Sequence, residues 1–84
     1  MDNLPRYQEF IGPMMAFLAE QSRPVSNKEI DAAVARFLDI PQHLLSKIHS
    51  GKRTEFQYRM AWARTKAKSD GKISSPKRET WKIV

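Results

Sequence analysis

Lys52, Arg53, Arg64 and Lys68 surround two side chains able to read base edges, Gln57 and Tyr58, within one short stretch of the chain. Flexible cations at such spacing can take phosphates on either side of a groove. Glutamine can pair bidentately with adenine, and the phenol ring can pack on a thymine or modified-cytosine methyl, or against a neighbouring element. Lys77 and Arg78 lie farther on in turn-forming sequence, where arginine can line a narrow minor groove.

The wider charge distribution agrees with this chemistry. Eleven of the fifteen Lys and Arg residues, but only three of the nine acidic ones, fall between Lys47 and Lys82, a net +8, whereas the first forty-six residues net −2. Clustered cations gain by displacing counterions condensed on a polyanion, so double-stranded DNA is the expected partner.

Other chemistries lack their residues. There is no cysteine, which excludes disulfides and thiolate metal sites. His43 and His49 have no acidic pair at ligand spacing, and Ser26, Ser46 and Ser50 have no supporting His and carboxylate pattern. No Gly-rich phosphate loop occurs. Neither catalysis, metal nor cofactor is expected. Eighty-four residues imply one domain, residues 1–84, too small for a deep substrate cavity. With a mean hydropathy of −0.61 and no long apolar run, no membrane span is expected. The opening lacks a signal-peptide layout, so the expected setting is the cytoplasm, at the nucleoid.

The elements that must hold these side chains follow from periodicity and caps. Leu4, Tyr7, Phe10, Ile11, Met14, Met15 and Leu18 have helical spacing, with Gly12 and Pro13 predicting a kink. Gln21 to Val25 reads as an extended connector. Ser26 and Glu29 form a capping-box pattern ahead of Ile30, Ala33, Val34, Phe37 and Leu38. Pro41 suits the first turn of a helix of about two turns carrying Leu44, Leu45 and Ile48. After a polar turn at His49–Arg53, Thr54 can cap a longer helix to about Ser69, closed by Gly71, and is itself a candidate DNA contact at that helix start. Phe56, Met60, Ala63 and Ala67 form its inward face with Trp62 at the margin, while Gln57, Tyr58, Ala61, Arg64, Thr65 and Lys68 face outward. Arg59 flanks the inward face, where bonding to a carboxylate or helix-end carbonyls competes with a DNA contact. Trp62 and Trp81 are expected in the core. Short strands at 72–74 and 80–84 enclose the turn sequence 75–79. The order is that of an α+β winged helix-turn-helix: three to four helices, then a C-terminal β-hairpin wing, with the most basic helix directly before the hairpin.

The chain also resembles the N-terminal domain of Mrr-type restriction system proteins over nearly its whole length. The similarity runs through Pro5-Arg6-Tyr7-Gln8, Lys28-Glu29-Ile30, Ser50-Gly51, Pro76-Lys77-Arg78 and Trp81-Lys82-Ile83. It is densest at Phe56-Gln57-Tyr58-Arg59-Met60-Ala61-Trp62-Ala63, which is similar to an F-x-N-R-V-x-W-A signature. Tyr58 stands where that family usually has Asn, and Lys66–Lys72 is more polar and basic than the family's apolar Ala-Gly-Leu ending. The resemblance implies a winged helix that targets DNA for a bacterial, modification-dependent restriction endonuclease. The nuclease half, with its metal site, is absent here, implying binding without cleavage and a nuclease domain or partner subunit elsewhere.

Two further functions fit the same fold, since fold alone does not fix function. One is a small DNA-binding transcriptional regulator. The other is a protein-interaction or dimerisation module, for which Phe10, Met14, Met15 and Phe17 supply excess apolar residues for a homodimer. Membrane attachment is disfavoured, because the basic face lacks a bulky apolar partner face.

Overall fold

A computed structural model describes residues 2–84. Its elements in chain order are α1 (Gln8–Ala19), β1 (Val25–Ser26), α2 (Asn27–Phe37), α3 (Gln42–Leu45), β2 (Ile48–Ser50), β3 (Arg53–Thr54), α4 (Glu55–Ser69), β4 (Ile73–Ser74) and β5 (Thr80–Ile83). This is an α+β fold of four helices and small antiparallel strands, consistent with a winged-helix-like arrangement. Strands order as β1-β5-β4, with Val25 opposite Trp81 and Ile73 opposite Ile83; β2 and β3 form a separate ribbon. No helix among the described residues is long and apolar enough to cross a membrane.

The two principal helices begin and end on local chemistry. Ser26 Oγ accepts the Glu29 N–H at 3.2 Å, while the Glu29 carboxylate turns to Arg23 at 3.3 Å, so half of the expected capping box forms. At Thr54 the box is complete: its Oγ1 accepts the Gln57 N–H at 3.0 Å and Gln57 Oε1 accepts the Thr54 N–H at 2.9 Å. At the far end of α4, Gly71 adopts φ +74°, Lys72 N–H donates to Ala67 O and Gly71 N–H donates to Lys68 O. That pair of bonds satisfies the last carbonyls and turns the chain into β4.

The core collects Phe10, Met14 and Leu18 of α1, Ile30 and Val34 of α2, Leu44 of α3, and Phe56, Met60, Ala63 and Ala67 of α4, closed by Val25 and Ile73. Phe10 meets Phe56 edge to face at 5.3 Å between centroids. The inward face expected for α4 is therefore buried as read.

Several expectations are corrected. α1 is not broken at Pro13, since the helix continues through the position where the kink is expected. The carbonyl that loses its bond belongs to Glu9, which is exposed to water, and Phe10, Met14 and Leu18 clamp the helix to the core on both sides of the proline. α3 is one turn, with Pro41 at its cap position, because the chain leaves it for β2 at Ile48. The extended connector ends in a strand, β1, on the β5 edge. Of the apolar residues considered for a dimer surface, Phe10 and Met14 are fully buried, and Met15 and Phe17 are partly buried against the core.

Candidate nucleic-acid interface

The β2–β3 ribbon delivers the chain to α4. Gly51 at φ +54° makes its tight turn, and Glu55 N–H donates to Lys47 O at 2.8 Å, tying the ribbon's entry to the first turn of α4. This holds Lys52 and Arg53, both exposed, beside the helix start. The Arg53 guanidinium lies 5.5 Å from the centroid of the Tyr58 ring, and His49 stacks on Tyr58 with centroids 3.9 Å apart and planes 14° from parallel. Tyr58 is half-buried as a result, the second of the two fates its sequence allowed.

His49 Nδ1 lies 3.0 Å from Glu55 Oε1, and Arg59 Nε donates to Glu55 Oε2 at 2.8 Å. The Arg59 hydrogen bond, aided by the one from His49, holds the Glu55 carboxyl below the usual glutamate range against the opposing effect of burial. Arg59 Nη1 also donates to the carbonyls of Leu4 and Pro5, at 3.0 Å each, so this arginine anchors the N-terminal segment.

Arg64 departs most from its expected place. It is 7% exposed, and its Nη1 donates to Asp31 Oδ1 of α2 at 2.7 Å. Burial pushes the Asp31 carboxyl above the ordinary range, opposed by the charge and hydrogen bond of Arg64 and by the charge of Arg53. Arg64 is thus a load-carrying side chain between α2 and α4, and the open face of α4 comprises Gln57, Tyr58, Ala61, Thr65 and Lys68 without it.

Gln57 is exposed, but its Oε1 is held by the cap, leaving its amide N–H groups as the part free to face a ligand. Thr54 Oγ1 is likewise used as a cap acceptor and retains its O–H for donation. Lys68 is exposed, with Nζ 6.0 Å from the centroid of Trp81. Trp81 is half-buried and its Nε1–H donates to Asn27 Oδ1 at 2.6 Å. Trp62, expected inside, is 49% exposed, because Tyr7 and Tyr58 flank it at centroid distances of 6.3 and 6.4 Å without covering it.

The loop between β4 and β5 folds on one carbonyl: Lys77 O accepts from Thr80 N–H at 3.0 Å and from the hydroxyls of Thr80 and Ser75 at 2.8 Å each. Lys77 and Arg78 stand exposed on it. Asn27 N–H donates to Glu79 O at 3.2 Å, which docks this loop on the start of α2. Asn27, Lys28, Asp31, Arg53, Gln57 and Arg64 line one shallow cleft, joining the α2 start to the α4 start. Lys28, exposed in the first turn of α2, is a cation of this region that the sequence reading missed; only the α2–α4 packing reveals it.

Among the described residues, Arg23, Arg59, Arg64 and Lys66 are ion-paired with Glu29, Glu55, Asp31 and Asp70, whereas Lys28, Lys52, Arg53, Lys68, Lys77 and Arg78 have no carboxylate partner, nor do Arg6, Arg36, Lys47, Lys72 and Lys82. The unpaired set remains available to an external anion.

A family model described as the Mrr N-terminal domain matches residues 7–84, from the turn before α1 through β5. No curated protein and no solved structure gives a significant match. The matched span takes in Phe56–Ala63, the segment on which the resemblance is densest, and Pro76–Arg78, and it is that of an N-terminal domain and not of a nuclease. The chain belongs to the Mrr N-terminal domain family, which associates it with the Mrr restriction system.

Proposed function

We propose that residues 1–84 act as one duplex-DNA-binding module of a restriction system, without catalysis of its own, delivering a nuclease domain or partner subunit to its target. In this reading the open face of α4 enters the major groove, Lys52 and Arg53 take phosphates at its start, Lys68 takes one near its end, and the β4–β5 hairpin serves as the wing through Lys77 and Arg78. Lys28 adds a phosphate contact from α2. Gln57 donates to a base acceptor such as guanine O6 or thymine O4, since its own carbonyl is committed to the cap.

The observation that carries the proposal is the division of cations. Of the cations on and beside α4, Arg59 and Arg64 turn toward the protein and each meets a carboxylate, whereas Lys52, Arg53 and Lys68 at the two ends of its exposed face, with Lys77 and Arg78 on the adjoining loop, are left unpaired. Family membership supports the same partner. A mobility-shift experiment on unrelated duplex sequences tests it. Replacing Lys77 and Arg78 together by alanine should weaken binding to every sequence while leaving the unfolding midpoint unchanged. Absence of a shift on any duplex would assign the basic face to a protein partner instead.

A further inference from the structure

The feature that duplex binding leaves unexplained is the ring cluster beside α4. Tyr7, at the entry to α1, and Tyr58 and Trp62, one turn apart on α4, wall a groove of about 490 Å³ that Arg6, Gln8, Glu55 and Arg59 complete. Trp62 contributes about half of its surface to solvent. On the other side of the same two α4 rings lies a second depression of about 270 Å³, lined by Arg53, Ala61 and Thr65 as well, on the open face of the helix. Tyr58 and Trp62 are therefore a partition between the helix face proposed to meet DNA and the groove.

The chemistry of the groove selects its occupant. Aromatic walls accept either an organic cation or a flat ring. A cation would need free negative charge, and Glu55, the one carboxylate lining the groove among the described residues, has one oxygen engaged by His49 and the other by Arg59. The remaining charges are positive: Arg6 is exposed with no carboxylate partner among the described residues, and Arg53 stands across the partition. A flat ring carried on a polyanion satisfies both features. Inside a paired duplex the faces of the bases are covered by their neighbours, so rings at the flank of a recognition helix have nothing to stack on. An unpaired base has both faces free, and stacking on an aromatic side chain tolerates any base.

Resting on the DNA-binding reading above, we propose that the Tyr7–Tyr58–Trp62 groove receives an unpaired nucleobase, making a junction of duplex and single strand the preferred ligand. The duplex lies on α4, the first unpaired base crosses the partition and stacks on Trp62, Tyr7 closes the groove beside it at 41° to that ring, and Arg6 takes its phosphate. Gln8, exposed at the rim, offers amide groups to the base edge.

Fluorescence anisotropy of the intact chain with a blunt duplex, and with the same duplex bearing a short thymidine extension, tests this. The junction should bind about tenfold more tightly, within the range one stacked base supplies. Trp62→Ala should remove that difference while leaving blunt-duplex affinity intact, and Trp62→Phe should keep most of it. In a Trp81→Phe background, emission from Trp62 should be quenched by the junction and not by the blunt duplex; the anisotropy comparison stands without this variant should it not fold. Equal affinity for the two ligands, or an equal loss on both in Trp62→Ala, would overturn the groove assignment and leave duplex binding standing. Failure to bind either ligand would overturn both readings and leave the rings as a protein-docking surface.

Discussion

Arg53 and Arg64 bracket the first part of α4 with the same guanidinium group, and the fold treats them in opposite ways. Arg64 points across the helix interface to Asp31 and is withdrawn from water, whereas Arg53 projects over Tyr58 with no carboxylate to meet it. The difference comes from reach: both arginines line the cleft that holds Asp31 of α2, but only Arg64 hydrogen-bonds its carboxylate, while Arg53 acts on it through charge alone. Net charge alone does not identify a DNA-binding surface; what matters is which cations remain after internal carboxylates have taken their share.

Arg64→Ala should give the largest effect. Removing one partner leaves a buried carboxylate uncompensated, which costs about 3–5 kcal/mol, enough to bring a domain of this size close to unfolding in a urea titration. Replacing both partners with apolar residues, Asp31→Leu with Arg64→Met, should recover most of the loss. If Arg64→Ala instead retained full stability and lost DNA affinity, the two arginines would not differ as described.

Lys52→Ala and Arg53→Ala should leave the unfolding midpoint within about 0.5 kcal/mol of the parent. Each should weaken binding on all duplex sequences and reduce the salt slope of binding by about 1. A sequence-dependent loss would move these residues from phosphate to base contact.

Gln57 sharpens the comparison, because it serves both the helix cap and the open face. Gln57→Glu keeps an acceptor for the Thr54 N–H and so should preserve stability, but it replaces the amide donor with a negative charge. Sequence preference and affinity should both fall. Gln57→Ala should in addition cost about 0.5–1 kcal/mol of helix stability through the lost cap bond. Unchanged preference in both variants would exclude Gln57 from base reading.

The smallest effect concerns pH. Because Arg59 and His49 hold the Glu55 carboxyl below its ordinary value of about 4.5, its contribution to stability is fully present above that pH and is lost as pH falls through the lower folded-state value. Asp31 acts in the opposite sense: burial raises its folded-state value, so its ionised form is penalised and its contribution improves as pH falls. Glu55→Gln should therefore flatten the acid loss of stability below about pH 4.5, as followed by thermal unfolding across that range.

What the sequence made legible is what local chemistry dictates. The caps at Thr54 and Ser26, the stop at Gly71 and the Phe56-Met60-Ala63-Ala67 stripe each act within a few residues, and each appears in the fold as read, with Gln57 completing the Thr54 cap as an addition the structure makes. What it concealed depends on partners far along the chain. On a helical wheel Arg64 sits at the border of the α4 stripe, and only the position of α2 decides that the border is buried. Trp62 has the mirror-image history, since its exposure follows from α1 ending its cover at Tyr7. The β2–β3 ribbon read as a plain turn, because strands this short carry too little periodicity to register.

The account rests on unpaired cations meeting a phosphate backbone, and the most direct measurement is the affinity of the intact chain for duplex DNA as a function of salt. Phosphate contacts by Lys28, Lys52, Arg53, Lys68, Lys77 and Arg78 predict that log K falls linearly with log salt with a slope of about −5. A slope near zero, or no binding at the lowest salt, would contradict it.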